Sequence, residues 1–312
     1  MNISVALCTY NGSLFIREQL ESILRQTLSI DEIVVCDDGS TDDTLQIIEG
    51  FEGETEVAIR VFRNEMNLGP SCNFQKAIDL CQGDIVFLSD QDDIWHENKV
   101  QVMVDWLREN PTKAVVFSDA DLIDDKGDLV TELSLWDCIG FTPKAQRSFD
   151  DGFGIELFGY ENRATGATMA VRRDFALSSR FIDICDNNVL HDGALAILAL
   201  EAEALGYISQ KLTKYRCHGN QSVGIGAAIK HPLSDDFREI SNMINVWVAR
   251  PLPKELSKRM NHMALRYRMI RQRGGLFRIL WNVTHYRSCY GKHWQSVFKY
   301  DLSLWKKHFQ NQ

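Results

Sequence analysis

The chain has 312 residues, with 34 Lys and Arg against 43 Asp and Glu, for a formal net charge of −9. With 45% hydrophobic and 25% charged residues, its composition is that of a soluble globular protein and excludes a disordered or fibrous chain. The length suits one large domain or two modest ones. No apolar run reaches the roughly 18 residues of a membrane span, and the nearest, Leu190–Ile208, is broken by Asp192, Glu201 and Glu203. The opening Met-Asn-Ile-Ser-Val-Ala-Leu has no basic n-region, so no signal peptide is expected. The eight cysteines form no C-x-x-C pair, which favours buried thiols in a reducing compartment over a disulfide framework or a zinc site.

In chain order, Ile3–Cys8 reads as a strand and Leu14–Gln26 as a helix. Glu32–Cys36 is a second strand, running into Asp37-Asp38-Gly39-Ser40. Thr41 and Asp42 then offer N-caps for a helix to about Phe51. Val57–Phe62 is a third strand, and Pro70 opens a helix to Cys81. Asp84–Leu88 is a fourth strand, His96–Asn110 a helix stopped by Pro111, and Ala114–Phe117 a further strand. Residues 131–162 read as loop and short segments, Thr165–Val171 as a strand and Asp192–Leu205 as a helix. Residues 219–236 read as Gly-rich and polar, and the pattern from about 237 onward as helical and basic. The β-α-β-α alternation argues for a mostly parallel sheet with helices on both faces, and in such folds ligands bind beyond the carboxyl ends of the strands.

Ser89-Asp90-Gln91-Asp92-Asp93-Ile94-Trp95 follows the apolar run Ile85-Val86-Phe87-Leu88. A buried strand that ends in three carboxylates gathers mutually repelling charge, and a divalent cation reverses that penalty. Mg²⁺ or Mn²⁺ takes oxygen ligands, typically one or two carboxylates plus substrate phosphates. The plain alternative is a solvated acidic turn. Loops 8–12, 37–42 and 89–95 all follow strands, so one crevice should hold them.

The order of motifs resembles that of inverting family 2 glycosyltransferases with the GT-A fold. The carrying residues are Ala6-Leu7-Cys8-Thr9-Tyr10-Asn11-Gly12, Val35-Cys36-Asp37-Asp38-Gly39-Ser40-Thr41-Asp42, Asn67-Leu68-Gly69 and Ser89-Asp90-Gln91-Asp92-Asp93. Thr165-Gly166, His191-Asp192 and Tyr215-Arg216-Cys217-His218 follow. Asp-Gln-Asp-Asp-Ile-Trp and the His-Asp pair are most similar to the bacterial rhamnosyltransferase-like branch that builds surface polysaccharides such as O-antigen or capsule. The resemblance implies a GT-A domain over 1–225, with a nucleotide-binding half at 1–118 and an acceptor-binding half at 119–225. It implies nucleotide contacts from Thr9, Tyr10, Asn11, Asp38, Asn67 and Gly69, with Tyr10 stacking on the base and Asp38 accepting from a pyrimidine N3–H. Asp92, with Asp90 and His218, would hold Mg²⁺ or Mn²⁺. Asp192 would be the base, against the plain reading of a helix N-cap, and Trp95, Thr165, Gly166 and His191 would meet the acceptor. Arg216 would pair a phosphate or form a surface ion pair. After His191-Asp192 the chain has Gly193-Ala194 where relatives carry bulky aromatics. The implied donor is dTDP-rhamnose, then a UDP-sugar, and the implied acceptor is a lipid-linked saccharide.

Residues 254–312 carry thirteen basic residues and two acids, a net +11, which leaves −20 on residues 1–253. Within 226–312, Arg266, Arg268, Arg271, Arg273 and Arg278 alternate with apolar residues, and Trp281, Tyr286, Tyr290, Trp294, Phe298 and Trp305 follow. A basic, aromatic, amphipathic helical region can dock on an anionic membrane surface, each basic residue contributing about 1 kcal/mol. It serves equally as a helical cap. The expected location is therefore cytoplasmic, with peripheral binding at the inner face of the membrane. A same-fold nucleotidyltransferase is disfavoured because Thr9-Tyr10-Asn11-Gly12-Ser13 lacks a basic Gly-rich character. A non-enzymatic scaffold with a nucleic-acid-binding tail is disfavoured because the acidic body repels phosphate.

Overall fold

The computed structural model describes residues 1–51, 53–160, 162–186, 189–218 and 246–271. The chain forms two compact units, Met1–Gly140 with Asn162–Pro232, and Phe141–Glu161 with Leu233–Gln312.

In the first unit, β1 (Ile3–Thr9), β2 (Glu32–Asp37) and β4 (Ile85–Ser89) are buried along their whole length. Their near-continuous apolar runs suit strands covered on both faces. β3 (Ala58–Arg63) alternates between exposed and half-buried residues because it is the sheet edge. Helices α1 (Ile16–Leu24), α2 (Thr44–Glu49) and α3 (Pro70–Leu80) connect these strands, with Pro70 in the first turn of α3, where its missing N–H costs nothing. β5 (Ile94–Trp95) and α4 (Lys99–Glu109) follow, then β6 (Val115–Ile123) and α5 (Leu135–Cys138).

Among the described residues the sheet has eight strands, ordered β3-β2-β1-β4-β7-β6-β8-β5, where β7 is Met169–Arg172 and β8 is Leu205–Arg216. The pairs β2–β3, β1–β2, β1–β4 and β6–β8 are parallel. β7 lies antiparallel between β4 and β6, and β5 antiparallel on β8. The fold is thus α/β as expected, but the sheet is mixed. Its parallel first half rests on β-α-β crossovers, and the second half is closed by two antiparallel insertions. The core gathers Val5, Leu7, Leu20, Ile33, Val35, Phe87, Trp95, Met103 and Leu107.

α8 (Arg173–Ser179) and α9 (His191–Glu201) complete the unit. α9 ends earlier than its apolar pattern suggests: Glu203 takes a left-handed φ of +55° and turns the chain into β8. β8 is not visible as one strand in the sequence, because Ser209, Gln210 and Lys211 are exposed and the register on β6 shifts on either side of Asp119.

In the second unit α6 (Pro143–Ser148) and α7 (Gly154–Tyr160) surround Phe141, Phe149 and Phe158, whose ring centroids are about 6 Å apart. α10 (Lys254–Arg271) carries Met260 against Gly159. No helix among the described residues is long and apolar enough to cross a membrane. The expectations for residues 219–236 and for Arg273, Arg278 and Trp281–Trp305 lie outside the described residues.

Candidate active site

A cavity of about 570 Å³ opens beyond the carboxyl ends of β1, β2 and β4, within the first unit. Of the residues singled out in the sequence, Thr9, Tyr10, Asn11, Asp38, Asn67, Gly69, Asp90, Asp92, Thr165, Gly166, His191, Asp192 and His218 all line it. Trp95 does not. It is 3% exposed and sits in the core against Phe87, with the Lys99 ammonium 3.9 Å from its ring centroid. The expected acceptor contact of Trp95 is therefore replaced by a core role. Its position just after an acidic loop made a buried aromatic resemble a binding one.

The loop after β1 is locked by its neighbours. Asn11 takes a left-handed φ of +50°, which asparagine tolerates better than most residues. Its N–H donates to Ser40 Oγ at 2.9 Å and its Oδ1 accepts from Thr41 N at 2.9 Å. Thr9 Oγ1 donates to Asp37 Oδ1, and Asp37 also accepts from Gly39 N and Ser40 N. Asp37 therefore builds the turn, while the adjacent Asp38 faces the cavity. The Asp38 carboxylate accepts from Asn64 Nδ2 (2.8 Å), Leu68 N (2.7 Å) and Gly69 N (2.9 Å). That leaves one of about four lone-pair sites for a further donor. Asn67 Nδ2 adds a contact to Asp38 O, so the 67–69 turn is fastened to the tip of β2.

Gln91 was not singled out in the sequence, yet it joins two loops. Its Oε1 accepts from Tyr10 N at 2.8 Å and its Nε2 donates to Tyr10 O at 3.0 Å. A Cβ on Gly12 would lie 2.2 Å from Gln91 Oε1, so a larger residue there would displace the Gln91 amide from Tyr10. Tyr10 itself remains 47% exposed, with its ring available at the cavity wall. The signal for Gln91 was its place between two acids of the motif.

At the acidic loop, burial, together with the charges of Asp92 and Asp192 and against the opposing Lys99, raises the Asp90 carboxyl to about 7. Asp92 Oδ2 lies 2.8 Å from His218 Nε2. Asp93 turns inward, where Oδ1 accepts from Arg216 N at 2.9 Å. Arg216 is fully buried. It donates from Nε to Asp92 O and from its terminal nitrogens to Asp124 O and Glu18 Oε2, and its guanidinium lies 4.5 Å from the centroid of the Phe15 ring. The expectation of a phosphate contact or a surface ion pair for Arg216 is thus corrected: the side chain is a buried staple between four segments.

The opposite wall is formed by α9 and the tight turn Gly166–Thr168. Asp192 Oδ2 accepts from Gly166 N at 3.0 Å and Oδ1 from Gly193 N at 2.7 Å. The N-cap position of α9 is Leu190, so Asp192 stands inside the first turn rather than capping it. His191 is 5% exposed and stacked on Phe74 with centroids 4.0 Å apart, and neither ring nitrogen has a hydrogen-bond partner. Burial holds its pKa below the usual imidazole value, so it is neutral near pH 7. Cys8 also lines the cavity, but burial pushes its thiol well up, which removes it as a nucleophile.

Two carboxylates and an imidazole on one wall match the donor chemistry of a divalent cation. The like-charge pressure on Asp90 is what such an ion would relieve. As they stand, Asp92 and His218 face each other, and no three such groups converge on one point among the described residues. Asp90, Asp92 and His218 fit the ion in kind, with side-chain rotation needed to meet it.

The family profile for glycosyl transferase family 2 matches residues 4–158. The chain is 27% identical to the dTDP-rhamnosyl transferase RfbG of Shigella flexneri, over 80% of this chain and 82% of that one. It is 33% identical to the chondroitin synthase of Escherichia coli over 43% of this chain, a match that spans 19% of the synthase. Residues 1–349 of S. aureus TarS, solved with UDP-GlcNAc, superpose with a TM-score of 0.56 at 16% identity, covering 100% of this chain and 93% of that one. Glucosyl-3-phosphoglycerate synthase from Mycobacterium tuberculosis, solved with Mn²⁺, UDP and glucosyl-3-phosphoglycerate, superposes with a TM-score of 0.51 at 19% identity, covering 78% and 79%. Strand order, motif positions and these likenesses agree: the chain is a glycosyltransferase that belongs to family 2, with the GT-A fold.

Proposed function

We propose that the chain transfers rhamnose from dTDP-rhamnose, with inversion, to a lipid-linked saccharide in bacterial surface polysaccharide synthesis. The observation that carries this reading is the convergence of the nucleotide-side residues, the acids at the tip of β4 and Asp192 on one cavity. The likeness to a dTDP-rhamnosyl transferase over most of both chains supports the choice of donor. A UDP-sugar is the second reading, supported by the UDP-GlcNAc in the TarS structure and the UDP in the phosphoglycerate synthase structure.

In this reading Tyr10 stacks on the base, and Asp38 accepts from its N3–H with the lone pair left by the 67–69 turn. Asp192 Oδ takes the proton of an acceptor hydroxyl. That oxygen attacks the anomeric carbon in line, and the electron pair of the breaking C–O bond leaves on the diphosphate. A positioned base of this kind is worth about 10²–10⁴-fold. His191, neutral and with both ring nitrogens unpartnered, offers a hydrogen bond to an acceptor hydroxyl. Asp90, Asp92 and His218 would hold Mg²⁺ or Mn²⁺, which when bound neutralises the diphosphate leaving group. The four acids lining the cavity, Asp38, Asp90, Asp92 and Asp192, make such neutralisation necessary for a diphosphate to bind. The basic region 226–312 would bring the enzyme to an anionic membrane surface at the cytoplasmic face, where a lipid-linked acceptor lies.

A thermal-shift panel of dTDP, UDP, GDP and CDP with Mn²⁺, Mg²⁺ or EDTA tests the reading. A metal-dependent stabilisation by dTDP is expected, worth about 2.7 kcal/mol at a hundred times the dissociation constant. It should be lost in Asp92→Ala. Stabilisation by UDP alone would move the donor to the second reading. No nucleotide shift in folded protein would overturn both.

A further inference from the structure

Lys99 is the one cationic side chain in the first turn of α4, and it is fully buried. A lysine there costs several kcal/mol of desolvation unless something holds it. Two groups contact it and two acids face it. Its Nζ donates to Ala167 O at 2.7 Å, and it lies 3.9 Å from the centroid of the Trp95 ring. Asp93 and Asp90 supply the opposing negative charge, and Asp93 is itself buried with Oδ2 unpartnered. Burial lowers the lysine pKa and raises that of Asp93, while their attraction opposes both shifts.

The acceptor of the Lys99 bond is what gives the contact a consequence. Ala167 is the middle residue of the turn Gly166–Thr168, whose closure runs through Thr168 N and Thr168 Oγ1 to Thr165 O. The first residue of that turn, Gly166, donates its N–H to Asp192 Oδ2 at 3.0 Å. Space around Gly166 is tight: an added Cβ would lie 2.9 Å from His191 Nε2. Lys99 grips the peptide plane of Ala167 C=O and Thr168 N–H; that N–H bonds Thr165 O, which shares its own plane with the Gly166 N–H, so the Gly166 amide has little freedom to turn away from the carboxylate. We propose that Lys99 is a positioning residue for Asp192, fixing through the 166–168 turn the N–H that orients the carboxylate. This rests on the reading of Asp192 as the base for its effect on rate, but not for its effect on structure.

The test uses the full chain labelled with ¹⁵N-glycine. In Lys99→Met the Gly166 amide proton should move upfield, as its bond to Asp192 loosens. The Gly69 amide, bonded to Asp38 across the cavity, should stay in place and report an intact fold. Should Lys99→Met fail to fold because Asp93 is left unpaired, the double variant Lys99→Met/Asp93→Asn removes both charges and gives the same readout. A Gly166 amide unmoved in the folded variant overturns the proposal. For rate, dTDP-rhamnose turnover should fall about 10²-fold in Lys99→Met, the cost of a displacement near 1 Å. It should fall no further in Lys99→Met/Asp192→Asn than in Asp192→Asn alone, because groups acting as a unit are non-additive. Multiplicative losses would overturn the coupling. Full turnover in Asp192→Asn would sink the base assignment, while the Gly166 amide still decides the role of Lys99.

Discussion

The two walls of the cavity are built differently. On the side of β1, β2 and β4, the polar groups satisfy one another: Asn11 with Ser40 and Thr41, Asp38 with residues 64, 68 and 69, Gln91 with Tyr10. On the side of α9, His191 is buried with two unpartnered ring nitrogens, and Asp192 is held by neighbouring amides. A buried polar group without a partner costs about 1–3 kcal/mol. The difference teaches that the first wall is rigid before any ligand arrives. The second carries a deficit that a ligand hydroxyl can repay.

The sharpest way to break this comparison is Asp192→Asn. Transfer should fall about 10²–10⁴-fold while nucleotide affinity, set by the other wall, stays level; a parallel loss of nucleotide binding would show that the walls are not independent. Next is Arg216→Met. Two backbone carbonyls, Asp92 O and Asp124 O, lose their donor at about 1–3 kcal/mol each, while the half-exposed Glu18 is rehydrated. Urea denaturation should register that loss, and metal-dependent nucleotide binding should weaken with it. Gln91→Ala is expected to be milder, about 0.5–1.5 kcal/mol, because Tyr10 N is exposed to water. Its effect should appear in donor KM and spare acceptor KM. Smallest is Trp95→Phe, which keeps an aromatic face for Lys99 and removes an indole N–H that has no partner. Acceptor KM should not change; a large rise would return Trp95 to the acceptor site.

The rigid wall was the more legible one in the sequence. Strand tips follow from apolar runs, and Asp38, Asp90 and Asp92 stand where those runs stop. What the sequence hid is whatever depends on a distant partner. Arg216 meets Glu18 across 198 residues, and Lys99 meets Ala167 across 68. No local pattern distinguishes such buried cations from surface ones. Trp95 was misread for a related reason: β5 has only two residues, too few for a periodicity to reveal that they enter the core. β8 escaped because its exposed, irregular middle breaks the alternation on which strand reading depends.

The Arg216 staple also bears on how the protein is made. The acidic loop is synthesised early, but its anchor lies 123 residues further on. At about 5–20 residues per second, the ribosome needs roughly 6–25 s to supply it. Until then Asp92 and Asp93 lack both the arginine and the histidine that fix them. A nascent chain halted between the acidic motif and the end of β8 carries the signature of the family without its site, and should capture neither nucleotide nor metal.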